Sequence, residues 1–130
     1  MIKKKEDNKV LHPINQLTLF GYEKYFNSLI KLLDNKKLPN VLLFSGPPGS
    51  GKSTFVYHFI NYLFSTNEEN KYILEKYFIN DSNKSYKNIL SNIHPNFYLL
   101  NTFEKEKEIK VDQSRNLIKF LNKSTFSKEL

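Results

Sequence analysis

Apolar residues recur at helical spacing in two stretches of the chain. Tyr25, Phe26, Leu29, Ile30, Leu32 and Leu33 predict an amphipathic helix from Tyr22 to about Asp34-Asn35. Phe55, Val56, Phe59, Ile60, Leu63 and Phe64 fall on one face of a second helix, from Lys52 to Phe64. Between them Val41-Leu42-Leu43-Phe44 is an uninterrupted apolar run bounded by Pro39-Asn40 and a Gly/Pro-rich loop. Such a run predicts a strand buried on both faces of a parallel sheet. After Pro95, Phe97-Tyr98-Leu99-Leu100 predicts a second strand, and Asp112 is placed to cap a helix carrying Leu117, Ile118 and Leu121. The stretch 65–92 is polar and Asn-rich, with short helices expected over Tyr72–Phe78 and Tyr86–Ile93. Pro13 to Gly21 reads as an extended approach, and residues 1–10 as a disordered N-terminus.

The loop between the first strand and the second helix carries the chemistry. Gly46, Gly51, Lys52 and Ser53 satisfy the pattern G-x-x-x-x-G-K-[ST] within Gly46-Pro47-Pro48-Gly49-Ser50-Gly51-Lys52-Ser53-Thr54. Glycines let the main chain turn tightly and approach phosphate oxygens. Successive N–H groups then form an anion-binding concavity, reinforced by the positive end of the helix that starts at Lys52. The Lys52 ammonium is the expected partner of β- and γ-phosphates, and the Ser53 hydroxyl the expected ligand of Mg²⁺. A glycine-rich turn could match by accident, but an apolar run before the loop and an amphipathic helix after it supply the context the motif needs. Mg-ATP is the expected ligand.

Composition narrows the setting. The 130 residues support one domain, and 39% hydrophobic content is enough for a core. No apolar run approaches the roughly 20 residues needed to span a bilayer, and no apolar segment follows the basic N-terminus as in a signal peptide. A cytoplasmic protein without membrane contact is therefore expected. With no cysteine there is neither a disulfide framework nor a thiolate metal site. The formal charge of +7 fits a polyanion partner. Nearly all of it is lysine, however, with Arg115 the sole arginine and no alanine anywhere, a pattern that A/T-rich codons also produce.

Four segments in order resemble bacterial DNA polymerase III clamp-loader subunits of the AAA+ superfamily, most of all the delta-prime type. Phe20-Gly21-Tyr22-Glu23 resembles the family's "(I/V)-G-(Q/H)-E" before a helix. Lys37-Leu38-Pro39-Asn40-Val41-Leu42-Leu43-Phe44 and the phosphate loop resemble its "L-P-H-A-L-L-F-x-G-P-x-G-x-G-K". His94-Pro95-Asn96-Phe97-Tyr98-Leu99-Leu100 resembles the "H-P-D" strand, and Ile109-Lys110-Val111-Asp112-Gln113-Ser114-Arg115-Asn116-Leu117 the "I-x-V-D-x-x-R-x-L" helix entry.

The resemblance implies an α/β P-loop NTPase domain of AAA+ type with a parallel sheet. Residues 11–130 would be its N-terminal part, a fragment ending before the acidic strand that carries the Asp for magnesium and the Glu that activates water. ATP binding is thus expected, while hydrolysis is not supported by this chain alone. The resemblance further implies that Phe20 and Gly21 line the adenine side and that Lys110 and Arg115 lie toward DNA. Other clamp-loader subunits in a hetero-oligomeric ring, the sliding clamp and primed DNA would be partners, and the parent assembly a DNA-directed DNA polymerase. The cysteine-ligated zinc of many relatives cannot form in 65–92. Two other functions fit less of the pattern. A nucleotide or small-molecule kinase would place its phosphate loop nearer the N-terminus and use more arginines. A non-catalytic nucleotide-binding scaffold subunit would need only the loop.

Overall fold

The computed structural model describes residues 12–102 and 106–123; the polar segment 1–10 lies outside them. The chain divides between Tyr86 and Lys87 into two compact units.

In the first unit, helix α1 spans Glu23–Asp34 and helix α2 spans Lys52–Phe64. Glu23 in the first turn and Lys31 in the last complement the dipole of α1. The helix stops where Lys36 takes a left-handed conformation at φ 55°. There the N–H of Lys37 reaches the Leu32 carbonyl at 2.8 Å and that of Lys36 the Leu33 carbonyl at 2.9 Å, so the last carbonyls are satisfied.

The buried face of α1 centres on Phe26, which is 0% exposed. Its ring lies edge-on to Phe55, Phe59, Tyr62 and Tyr77 at centroid distances of 5.6 to 5.8 Å and stacks on Tyr72 at 5.6 Å. Aromatic pairs in these arrangements add roughly 0.5–1.5 kcal/mol beyond burial of their area. Leu19 and Ile79 complete the cluster. They arrive on two segments joined by the bonds Leu19 N–H to Tyr77 O at 3.0 Å and Ile79 N–H to Leu17 O at 2.8 Å. These two segments form only an isolated bridge at Thr18 and Phe78.

The second unit holds most of helix α3 (Lys84–Leu90), which straddles the division, and helix α4 (Val111–Leu121). α3 stops at Asn92, left-handed at φ 57°, with the Ile93 N–H bonded to the Asn88 carbonyl at 2.9 Å. Asp112 does not cap α4, because it already sits inside the first turn. Gln113 does so instead: its Oε1 accepts from the Lys110 N–H at 2.8 Å, and its Nε2 donates to the Asn101 carbonyl at 2.6 Å.

The expected fold class is not what forms. The P-loop, AAA+ parallel-sheet domain requires strands at Val41–Phe44 and Phe97–Leu100, yet the described residues are mostly helical and contain no strand. A strand exists only through a ladder with a neighbour, and the apolar run cannot specify that neighbour by itself. No hydrogen bond joins the main chain of 41–44 to any described residue. Val41 and Leu43 are 84% and 90% exposed, the reverse of a strand buried on both faces. The expected short helices in 65–92 are also shorter than the pattern predicts: a 3-10 turn at Leu74–Lys76, and α3.

Candidate phosphate-binding site

The loop 46–51 leaves the segment 41–44 and feeds directly into α2. A turn at its tip is closed by the Ser50 N–H on the Pro47 carbonyl at 3.2 Å, with Pro48 and Gly49 at the corner. Gly49 (φ 77°) and Gly51 (φ 87°) are left-handed, a conformation open to glycine at little cost. Because α2 starts at Lys52, the N–H groups of Lys52, Ser53 and Thr54 have no acceptor within the helix. The first helical bond at this end is Phe55 N–H to the Gly51 carbonyl, at 3.0 Å. Ser53 is exposed at the mouth of this amide cluster.

Lys52 folds back over the loop. Its ammonium donates to the Gly46 carbonyl at 2.7 Å and to the Pro47 carbonyl at 2.9 Å. Gly46 stays tight: a Cβ there would come within 3.3 Å of Ser50 Oγ.

Two cavities flank the loop. One, of about 610 Å³, is lined by Gly49, Ser50, Gly51, Lys52, Ser53 and Thr54 on one side and by Pro13, Gln16, Thr18, Leu19, Phe20 and Tyr22 on the other. The volume falls in the range of about 300–1,000 Å³ typical of small-molecule sites. Phe20, 78% exposed, lines the same cavity as the phosphate loop. Gly21 is not in the lining. It is left-handed at φ 79° with nothing near a hypothetical Cβ, so backbone conformation alone calls for glycine there. The other cavity, of about 460 Å³, is mainly aromatic and aliphatic, with Gly46, Pro47 and Lys52 at its edge.

The donor set fits a polyphosphate: one ammonium, the amides at the start of α2, and a neighbouring cavity with an aromatic side chain at its rim. Magnesium would find the Ser53 hydroxyl here, for among the described residues neither cavity is lined by Asp or Glu. Among the described residues no cluster of three potential metal ligands occurs.

Sequence reasoning missed Tyr22. It lines both cavities, its ring lies edge-on to Phe55 at 6.0 Å, and its hydroxyl donates to the Ser50 carbonyl. The only hint was an aromatic residue just ahead of a helix, which carries no signal of a partner 28 positions away. His58 was missed too. It lies within about two turns of the loop on α2 and bonds the carbonyl of Gln16, a residue of the larger cavity's lining.

Lys110 and Arg115 belong to the second unit. Lys110 pairs with Glu106 at 2.6 Å and Arg115 with Asp112 at 3.6 Å, so both charges are partly answered locally. His94 serves a turn, its Nδ1 accepting from the Asn96 N–H at 3.2 Å. No helix among the described residues is long and apolar enough to cross a membrane.

A family model described as DNA polymerase III, delta subunit, matches residues 21–130. No curated protein and no solved structure matches the chain. The matched span takes in the phosphate loop and helices α1 to α4, and on that extent this chain belongs to the DNA polymerase III delta-subunit family, related to the clamp loader.

Proposed function

We propose that this chain is a delta-prime-like, nucleotide-binding subunit of the DNA polymerase III clamp loader and helps load the sliding clamp onto primed DNA. Its ligand is Mg-ATP. The observation that carries the reading is the meeting of Lys52, the amides of Lys52–Thr54 and Phe20 around one cavity of about 610 Å³. Lys52 exchanges its two carbonyl partners for β- and γ-phosphate oxygens, a trade of neutral for charge-assisted bonds. The α2 amides and the helix's positive end hold the same phosphates. The Ser53 hydroxyl would hold magnesium, which would supply neutralisation of phosphate charge. Phe20 offers a face to the base.

Among the described residues, the groups that line these cavities are ones that bind and orient triphosphate. The same feature favours the second reading, a scaffold subunit that binds nucleotide without turning it over. Partners in either case are other clamp-loader subunits, the sliding clamp and primed DNA, with Lys110 and Arg115 as the candidate DNA contacts.

Calorimetry with Mg-ATP tests the site. Lys52→Ala should weaken binding by a factor of ten or more, since a bond to a charged group contributes roughly 1.5–3 kcal/mol. Lys84→Ala should bind as the parent does. Equal affinity of the Lys52→Ala variant and the parent would exclude the loop as the site.

A further inference from the structure

The phosphate loop is held at both ends by side chains. Lys52 closes the entrance on the carbonyls of Gly46 and Pro47. At the exit the Tyr22 hydroxyl donates to the carbonyl of Ser50. This second clasp acts on one peptide unit, the Ser50–Gly51 link. A trans peptide is planar, and its C=O and N–H point in opposite directions. Fixing the Ser50 carbonyl against Tyr22 therefore fixes the Gly51 N–H facing away from it. That N–H makes no hydrogen bond with any described residue, and it directly precedes the unpaired amides of α2.

The Ser50–Gly51 peptide is able to turn over. Rotating it reverses the sign of φ at residue 51, and only glycine accepts both signs readily. Gly51 now sits at φ 87°. Turned over, the peptide would present a carbonyl oxygen where an anion needs a donor. The ring of Tyr22 is itself well placed to resist this. It is braced edge-on against Phe55 at 6.0 Å, and a Cβ on Gly51 would lie 3.5 Å from Tyr22 Cε2.

We propose that Tyr22 is a positioning residue for phosphate: its hydroxyl locks the Ser50–Gly51 peptide so that the Gly51 N–H is kept as a donor to the bound polyphosphate. The role rests on the nucleotide-binding reading above. Tyr22 touches no phosphate itself. It acts on the polyphosphate part of any ligand and is indifferent to the base.

Tyr22→Phe tests it, because only the hydroxyl is lost and the ring packing on Phe55 remains. Calorimetry with ATP and with inorganic tripolyphosphate should show both weakened by the same factor, about fivefold, the worth of one net hydrogen bond. The Gly51 amide resonance of the free variant should shift or broaden as the peptide samples its second orientation, with the melting temperature little changed. A variant that binds tripolyphosphate as tightly as the parent overturns the proposal. So does a loss seen with ATP but not with tripolyphosphate, or an unaltered Gly51 resonance. A parent protein that binds neither ligand overturns instead the nucleotide reading on which the proposal stands, whereas loss in Lys52→Ala with none in Tyr22→Phe removes Tyr22 alone. Should Tyr22→Phe fail to fold, the parent carries the test: exchanging the Tyr22 hydroxyl proton for deuterium should shift the Ser50 carbonyl carbon resonance, and no shift overturns the clasp.

Discussion

His58 is fully buried on α2, and both ring nitrogens are engaged. Nε2 lies 2.7 Å from the Gln16 carbonyl, which can only accept, so Nε2 carries the proton. Nδ1, 2.8 Å from the Tyr72 hydroxyl, is then the acceptor. Burial pushes the imidazole pKa down to about 4, the Gln16 hydrogen bond opposing it only in part. Burial likewise raises the Tyr72 hydroxyl, so it remains the donor. Between pH 6.5 and 4 the unfolded chain therefore takes up a proton that the folded one refuses. The contribution is complete above pH 6.5 and is lost as pH falls toward 4, by about 3 kcal/mol in all. Denaturant titrations at pH 7 and pH 4 on the parent and on His58→Gln measure it. The parent should lose about 3 kcal/mol more than the variant, and equal losses would assign the acid sensitivity elsewhere. Neither His58 nor Tyr22 could be read from the sequence, because their partners lie 42 and 28 residues away. The loop glycines could be, since the motif dictates the local backbone.

Helices α1 and α2 were legible because each has to bury a stripe of aromatic and aliphatic residues on the other, and that need shows as a period of 3.6 in the chain itself. The polar stretch 65–92 hid its order for the opposite reason: its polar side chains face inward. Asn61 and Asn83, both 1% exposed, exchange amide hydrogen bonds of 3.1 and 2.9 Å. Asn83 Oδ1 also accepts from the Tyr86 N–H at 2.7 Å and so caps α3. Beside them Ser65 Oγ accepts from the Tyr72 N–H at 2.9 Å, and Glu68 takes the Ser85 N–H and hydroxyl at 2.9 and 2.6 Å. Composition announces such residues as loop formers, and only their mutual satisfaction turns them into a buried brace. Asn61→Ala leaves the Asn83 amide without its partner and should cost about 1–3 kcal/mol in a urea melt. Adding Asn83→Ala should then cost less than Asn83→Ala does alone, since the two groups share one pair of bonds. Strict additivity would mean that the pair does not act as a unit.

Across the whole molecule, the order of segments could be read while the sheet could not. The succession of helix entry, phosphate loop, His-Pro turn and last helix resembles the family as an ordered set, of which only the phosphate loop is specific by itself. A sheet depends on which segments pair, and an apolar run such as 41–44 is silent on that. The outcome is visible on the surface. Val41 and Leu43 stand exposed beside an aromatic-lined cavity of about 460 Å³ that Leu43 and Phe44 help to form. Apolar surface that stays in water lends no stability to the fold, yet it attracts other apolar surface. The net charge of +7 opposes association between copies, but salt screens that repulsion at separations beyond about 8 Å at physiological ionic strength. The isolated chain should therefore bind a hydrophobic dye such as ANS while folded, and should self-associate more as salt is raised. Val41→Ser combined with Leu43→Ser should reduce both effects. Because the two side chains are already solvated, the double variant should unfold within about 0.5 kcal/mol of the parent. Sedimentation and dye fluorescence over a salt series, with a urea melt alongside, decide the matter. Dye binding that survives the substitutions would move the adhesive surface away from 41–44, and a large drop in stability would show that these two side chains are packed in solution.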